Sequence, residues 1–260
     1  MAQDPLPVVD FGRTARDYAR HRPGFPPAFF DHVGGLSFGG PGQRLLDLGT
    51  GTGTLARGFA ARGASVVGLD PSEKMLAEAA GLAREEGLPV DWVRATAEAT
   101  ALPDGAFDAV CAGQCWHWFD RARAAGECRR VLRAGGRMLI AYFSYLAEPG
   151  SVGEATEALI LRRHPAWSMA GGDGRYPAWG EDLRGAGFVD LDTFEFELPV
   201  TFTHEGWRGR FRACNGVLAL PAEGIAAFDA ELQALLEARF PEPVVSRHRV
   251  FGIVGTCPGG

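Results

Sequence analysis

The sequence has no run of Lys or Arg, and its 26 basic residues are outnumbered by 32 acidic ones, for a formal charge of −6. That balance offers no stripe for a phosphate backbone, which argues against nucleic acid as a partner and in favour of a small molecule. Nor is there a stretch of about 18 consecutive apolar residues, so no membrane-spanning helix and no membrane partner are expected. The opening MAQDPLPVVDFGR lacks a basic segment followed by an apolar one, and the expectation is a cytoplasmic protein. Cys111, Cys115, Cys128, Cys214 and Cys257 form no C-x-x-C pair and meet no histidine cluster, which argues against structural zinc and a disulfide framework. Cys111 lies in an apolar run, where a thiol is ordinarily buried and inert. Internal repeats and low-complexity linkers are absent too.

What is there has the proportions of a globular domain. Apolar residues make up 46% and charged residues 22% of 260, enough to build a large core and too apolar for a disordered chain. Strand and helix signals alternate from Arg44 to Tyr142, predicting βαβ units and a parallel sheet covered on both faces. Strands are expected at 44–48, 65–70, 91–94, 107–112 and 136–142, with helices between them. RAGG, Arg133 to Gly136, reads as a helix stop. Beyond Tyr142 the regularity breaks. A helix is expected near 154–163, strand alternation resumes around Phe194 to Leu198, and Ile225, Phe228, Leu232 and Leu235 mark an amphipathic helix. The closing RHRVFGIVG is a further strand candidate. The expected organisation is one domain over 1–260 in which 1–35, 143–179 and 199–240 act as caps over the site.

The chemistry concentrates in RLLDLGTGTGTLARGFAARGASVVGLDPS, Arg44 to Ser72. Gly51, Gly53 and Ala56 satisfy the G-x-G-x-x-G/A dinucleotide pattern, and Asp70 follows at the distance of a ribose-binding acid. Asp47 discriminates. A pyrophosphate on the following helix N-terminus wants positive partial charge, so a carboxylate beside it is awkward, whereas the amino group of S-adenosylmethionine wants one. Either acid could instead cap a helix.

Asp47-x-Gly49-x-Gly51-x-Gly53 resembles motif I of the class I S-adenosylmethionine-dependent methyltransferases. GLDPSEKML, Gly68 to Leu76, resembles their second strand end, which implies that Asp70 binds the ribose hydroxyls and Met75 packs on the adenine. ATAEATALPDGAFDAV is similar to the segment framing the adenine edge, with Ala97 and Thr96 as contacts; many relatives carry Asp where Thr96 stands. RVLRAGGRMLI is like the family's entry to strand five. The resemblance implies an α/β, doubly wound, mostly parallel seven-stranded Rossmann-like sheet with an antiparallel last strand and helical lid insertions.

GQCWHWFD, Gly113 to Asp120, follows the fourth strand, where ligands of open α/β sheets sit. It resembles the HWF loop of methyltransferases related to the trans-aconitate enzymes, and YARHRPGFP resembles that subgroup's N-terminal cap, implying Tyr18 and Arg22 near the methionine end of the cofactor. Gln114 is counted with the cofactor contacts. His117 is the candidate catalytic residue, able to take a proton from a hydroxyl nucleophile, and it is equally readable as a packed structural histidine. Trp116 and Trp118 are expected to line the acceptor pocket or to fill the core. Arg208 and Arg212, four apart on one helical face, are either solvated or a guanidinium pair for an acidic acceptor. Glu98 reads as a surface acid. With Phe25, Phe29, Trp167, Tyr176, Trp207 and Phe211 in the caps, the expected acceptor is a mid-sized, partly apolar carboxylic acid or phenol, methylated in bacterial secondary metabolism. A nicotinamide-dependent oxidoreductase, a nucleic-acid methyltransferase and a non-catalytic cofactor binder are the rival classes.

Overall fold

In a computed structural model of the chain, residues 23–259 are described. They fall into two compact units: Pro23–Phe143 with Tyr176–Phe196 and 250–259 in one, and Ser144–Arg175 with Glu197–Arg249 in the other.

The first unit is built on the βαβ alternation. Strands β1 (Arg44–Leu48), β2 (Ser65–Asp70), β3 (Val90–Arg94) and β4 (Phe107–Gly113) are joined through helices α2 (Thr54–Ala60) and α3 (Glu73–Glu85). Helix α4 (Arg121–Val131) leads into β5 (Leu132–Tyr145), and β6 (Val189–Phe202) and β7 (Val244–Thr256) complete a seven-stranded sheet of order β3-β2-β1-β4-β5-β7-β6. β1 pairs in parallel with both β2 and β4, and β4 with β5. The Gly135 amide donates to the Cys257 carbonyl while the Cys257 amide donates to the Gly136 carbonyl, so two residues oppose one as in a G1 bulge of an antiparallel pair, with Gly135 left-handed at φ 74°.

β1 and β2 read as continuous apolar runs because both their faces are covered; Leu45, Leu46, Leu48 and Leu69 have no exposed surface. α4 turns Ala124, Ala125, Cys128 and Val131 onto one face, where they meet Val110, Met138 and Ile140. α6 (Trp179–Gly185) adds Trp179 and Leu183 to that core. Helix α1 (Pro27–Gly35) has Pro27 at its first position and buries Phe29 and Phe30. Both rings pack edge-on against Phe59 of α2.

Two expectations need correction. The expected cap over 1–35 includes α1, which supplies core side chains to the sheet unit. RAGG is not the helix stop: α4 ends at Val131, and β5 begins at Leu132, with Gly135 at φ 74° inside it.

The second unit contains α5 (Val152–Arg163), α7 (His204–Arg212), α8 (Asn215–Leu218) and α9 (Ala222–Arg239). Its core joins Leu159 and Ile160 to Trp207, Phe211, Phe228, Leu232 and Leu236. The Trp207 indole donates to Thr156 Oγ1 at 3.0 Å, which satisfies the one polar atom of a ring with no exposed surface.

Candidate functional site

Chain order 1-2-3 runs to one side of β1 and β4 lies on the other, so the strand order reverses between the parallel neighbours β1 and β4. In such sheets the crevice beyond the carboxyl ends of these strands receives the ligand. Here those ends carry Asp47 and Asp70, the glycine loop between β1 and α2, and the Gln114–Asp120 loop after β4.

The three motif glycines do different work. All have positive φ, 58°, 56° and 78° at Gly49, Gly51 and Gly53. A Cβ at Gly49 would lie 3.0 Å from Cys115 and Phe119, and one at Gly53 would lie 2.7 Å from the Trp92 ring, so these two permit close packing. A Cβ at Gly51 would meet no atom within 4 Å, leaving bare backbone facing open space.

Asp47 organises this loop from behind. Its Oδ2 accepts from the Thr50 hydroxyl at 2.6 Å and from the Ala56 amide at 3.1 Å, and its Oδ1 accepts from the Cys111 thiol at 3.4 Å. Burial nevertheless raises its carboxyl to about 6, with the Asp70 charge adding in the same direction. Asp70 takes the Gly51 amide at 2.9 Å and the Ser72 amide at 2.8 Å on separate oxygens, tying the end of β2 to the centre of the loop. Burial raises its pKa as well, against those two hydrogen bonds. Two buried carboxylates beside a half-buried loop that is open above Gly51 suit a ligand that offers a cationic amine and hydroxyl donors.

Ser72 caps α3 by accepting from the Met75 amide at 3.4 Å, and Met75 is buried on the inner face of α3. Ala97 is buried, and Thr96 is exposed at a bridge to Ala99. Gln114 stands at φ 61°, with its amide on the Ala141 carbonyl and its carboxamide nitrogen on the Phe143 carbonyl, both at 2.9 Å. Glu98 is not merely a solvated acid: it accepts the Asp120 amide at 2.9 Å, the residue that caps α4. Tyr18 and Arg22 lie outside the described residues.

Trp116–Trp118 form a single 3-10 turn. Trp116 has no exposed surface, and its indole donates to Asp182 of α6 at 3.0 Å. Its expected place in an acceptor pocket is therefore corrected to an anchor of the turn in the core. Trp118 and His117 are half-buried neighbours, with ring centroids 4.7 Å apart. His117 Nδ1 lies 2.7 Å from the hydroxyl of Tyr142, near the carboxyl end of β5. Tyr142 belongs to a cluster in which Tyr176 and Trp179 stack at 4.1 Å. Sequence reasoning missed Tyr142 as a site residue, although its position at the end of a predicted strand next to the fourth was the available signal.

Arg208 and Arg212 are also corrected. Both point at Asp229 of α9, Arg208 Nε at 3.1 Å and Arg212 at 3.0 Å, and Glu205 engages them from their own helix. Against burial, which would raise it, the two guanidiniums hold Asp229 below the usual carboxylate range. The pair ties α7 to α9 through an internal acid. The aromatics expected to shape an acceptor pocket are largely core as well: Phe29 and Trp207 have no exposed surface, and Phe211 and Trp167 are buried.

Among the described residues no cluster of His, Cys, Asp and Glu could hold a metal ion, and no helix is long and apolar enough to cross a membrane.

Comparison with known proteins meets this geometry at one place. A family model described as a methyltransferase domain matches residues 46–140. An uncharacterized methyltransferase of Mycobacterium tuberculosis is 40% identical over 131 residues, half of each chain. The demethylmenaquinone methyltransferase of Thermus thermophilus is 46% identical over 104 residues, 39% of this chain and 47% of that one. A ubiquinone biosynthesis O-methyltransferase of Rhizobium rhizogenes is 41% identical over 125 residues, 48% of this chain and 50% of that one. The chain thus spans about half the length of the curated relatives it matches. Among solved structures, a Haemonchus contortus phosphoethanolamine N-methyltransferase with S-adenosylhomocysteine aligns at TM-score 0.57 and 20% identity, over 97% of this chain and 61% of that one. The [4+2]-cyclase SpnF aligns at TM-score 0.54 and 24% identity, over 92% and 84%. At such identities these likenesses speak for the fold alone.

Proposed function

From a chain whose residues 46–140 match a family model described as a methyltransferase domain, we propose an S-adenosylmethionine-dependent methyltransferase acting on a small-molecule acceptor. The observation that carries this is the open Gly51 backbone flanked by Asp47 and Asp70. The curated relatives named for methylation in menaquinone and ubiquinone biosynthesis support a small acceptor.

In this reading Gly49, Gly51 and Gly53 shape the loop on which the methionine moiety rests, with Tyr18 and Arg22 contributing at that end. Asp47 supplies negative charge toward the amino group, and Asp70 holds the ribose hydroxyls. Met75, Thr96 and Ala97 border the adenine, and Gln114 borders the cofactor from the loop after β4. When bound, the cofactor supplies a methyl group already activated by its sulfonium. The chain's own share is alignment and exclusion of water, effects that reach roughly 7–11 kcal/mol in favourable cases. His117 and Trp118 face the acceptor, a carboxylic acid or a hydroxyl compound, of the kind handled by the trans-aconitate-related subgroup and by bacterial secondary metabolism.

Two measurements test this. Calorimetric titration should show binding of S-adenosylhomocysteine and none of NAD; the reverse would make the chain a nicotinamide enzyme. Labelled methyl transfer to a panel of acids, phenols and amines should then give product. Release of the label by mild alkali identifies an ester, and retention identifies an ether, amine or carbon acceptor. Cofactor binding with no transfer to any class would reduce the chain to a binding protein.

A further inference from the structure

His117 has a partner that determines which of its nitrogens carries the proton. The Tyr142 hydroxyl lies 2.7 Å from Nδ1, and the same oxygen receives the His117 backbone amide at 3.3 Å. Tyr142 is 3% exposed, so its own hydroxyl hydrogen cannot go to solvent and needs an acceptor. Burial also keeps the phenol protonated, pushing it well above its ordinary pKa. Among the described residues Nδ1 is the one acceptor within hydrogen-bond distance of that hydroxyl. Were Nδ1 to carry the proton instead, the phenol oxygen would face a ring donor as well as the His117 backbone amide, and its hydrogen would be stranded in the core.

We propose that Tyr142 is a positioning residue that fixes neutral His117 in the tautomer with its proton on Nε2, so that the ring's second nitrogen is an N–H donor rather than a basic lone pair. This inference rests on the methyltransferase reading for its functional meaning, and not for the tautomer itself. It separates the two acceptor classes left open above. A carboxylate is ionised at neutral pH, needs no base, and is held well by an N–H donor. A neutral hydroxyl would need the lone pair that the Nε2 proton occupies. The site is therefore matched to an acceptor that arrives as an anion.

The test is long-range nitrogen–proton correlation NMR of the histidine rings in the full chain at a pH where the rings are neutral, with His117 assigned by comparison with His117→Gln. The wild type should show a protonated Nε2 and an unprotonated Nδ1. Tyr142→Phe should shift His117 toward an average of both tautomers, as in a free imidazole. A protonated Nδ1 in the wild type overturns the proposal without recourse to any variant. An unchanged ring in a folded Tyr142→Phe chain also overturns it. Titration of the wild type with S-adenosylhomocysteine runs separately: failure to bind would remove the methyltransferase reading and leave the tautomer result standing.

Discussion

Asp47 stands behind the glycine loop with donors on both carboxylate oxygens, yet its pKa is lifted from 3.8 to about 6. The folded chain therefore binds this proton more tightly than the unfolded chain does. Stability falls as pH rises between those two values, and the ionised carboxylate costs about 3 kcal/mol at neutral pH. Asp47→Asn should raise the thermal midpoint at about pH 7 and flatten its decline between about pH 4 and 6, as unfolding curves across that range would show. A cationic amine near Asp47 needs the charged form, so S-adenosylhomocysteine affinity should drop below about pH 6, read by calorimetry at about pH 5 and pH 8. The glycines divide in the same way. Gly51→Ala should cost about 1–2 kcal/mol of stability, the left-handed penalty alone, and reduce cofactor affinity at least tenfold. Gly53→Ala adds the collision with Trp92 and should destabilise the chain more. Asp47 was legible as a charge whose sign decided between cofactors. Its partners Thr50, Ala56 and Cys111 were not, because they depend on how the loop folds back. Trp116 misled for a similar reason: its acceptor, Asp182, lies 66 residues away in sequence.

At the scale of elements, the strands of the βαβ region were legible because buried parallel strands are short apolar runs between turn signals. β5 was legible only in part. Its first residues, Leu132 to Gly135, carry turn chemistry but are held by Leu132 pairing with Phe107 and Gly135 with Cys257, which no local pattern announces. Helix α7 shows the opposite limit. Arg208 and Arg212 were correctly placed on one face, and the acid they meet came from the chain's own α9. Asp229→Ala leaves two mostly buried guanidiniums short of a partner and should destabilise the chain by about 1–3 kcal/mol. Thermal unfolding would measure that loss, while S-adenosylhomocysteine affinity should stay within about twofold of the wild type.

Over the whole molecule, the break in periodicity after Tyr142 correctly marked where the chain leaves the repeating pattern. That segments 144–175 and 197–249 assemble a core of their own was not legible, since Leu159, Trp207 and Phe228 come from separate helices whose contacts are set only in three dimensions. A ligand that binds only the folded sheet unit should protect it by mass action. At about 100 times its dissociation constant, S-adenosylhomocysteine should add about 2.7 kcal/mol, visible as a rise in thermal midpoint that NAD does not reproduce. The buried thiols give this a clock. Cys111, Cys115 and Cys128 are buried, and burial pushes all three thiols upward in pKa, so an alkylating reagent reaches them only when the sheet unit opens. Cys115 packs against Gly49, so its labelling rate reads how often the loop comes apart. Sampling that rate by mass spectrometry would turn a static cradle into a measured opening frequency, residue by residue.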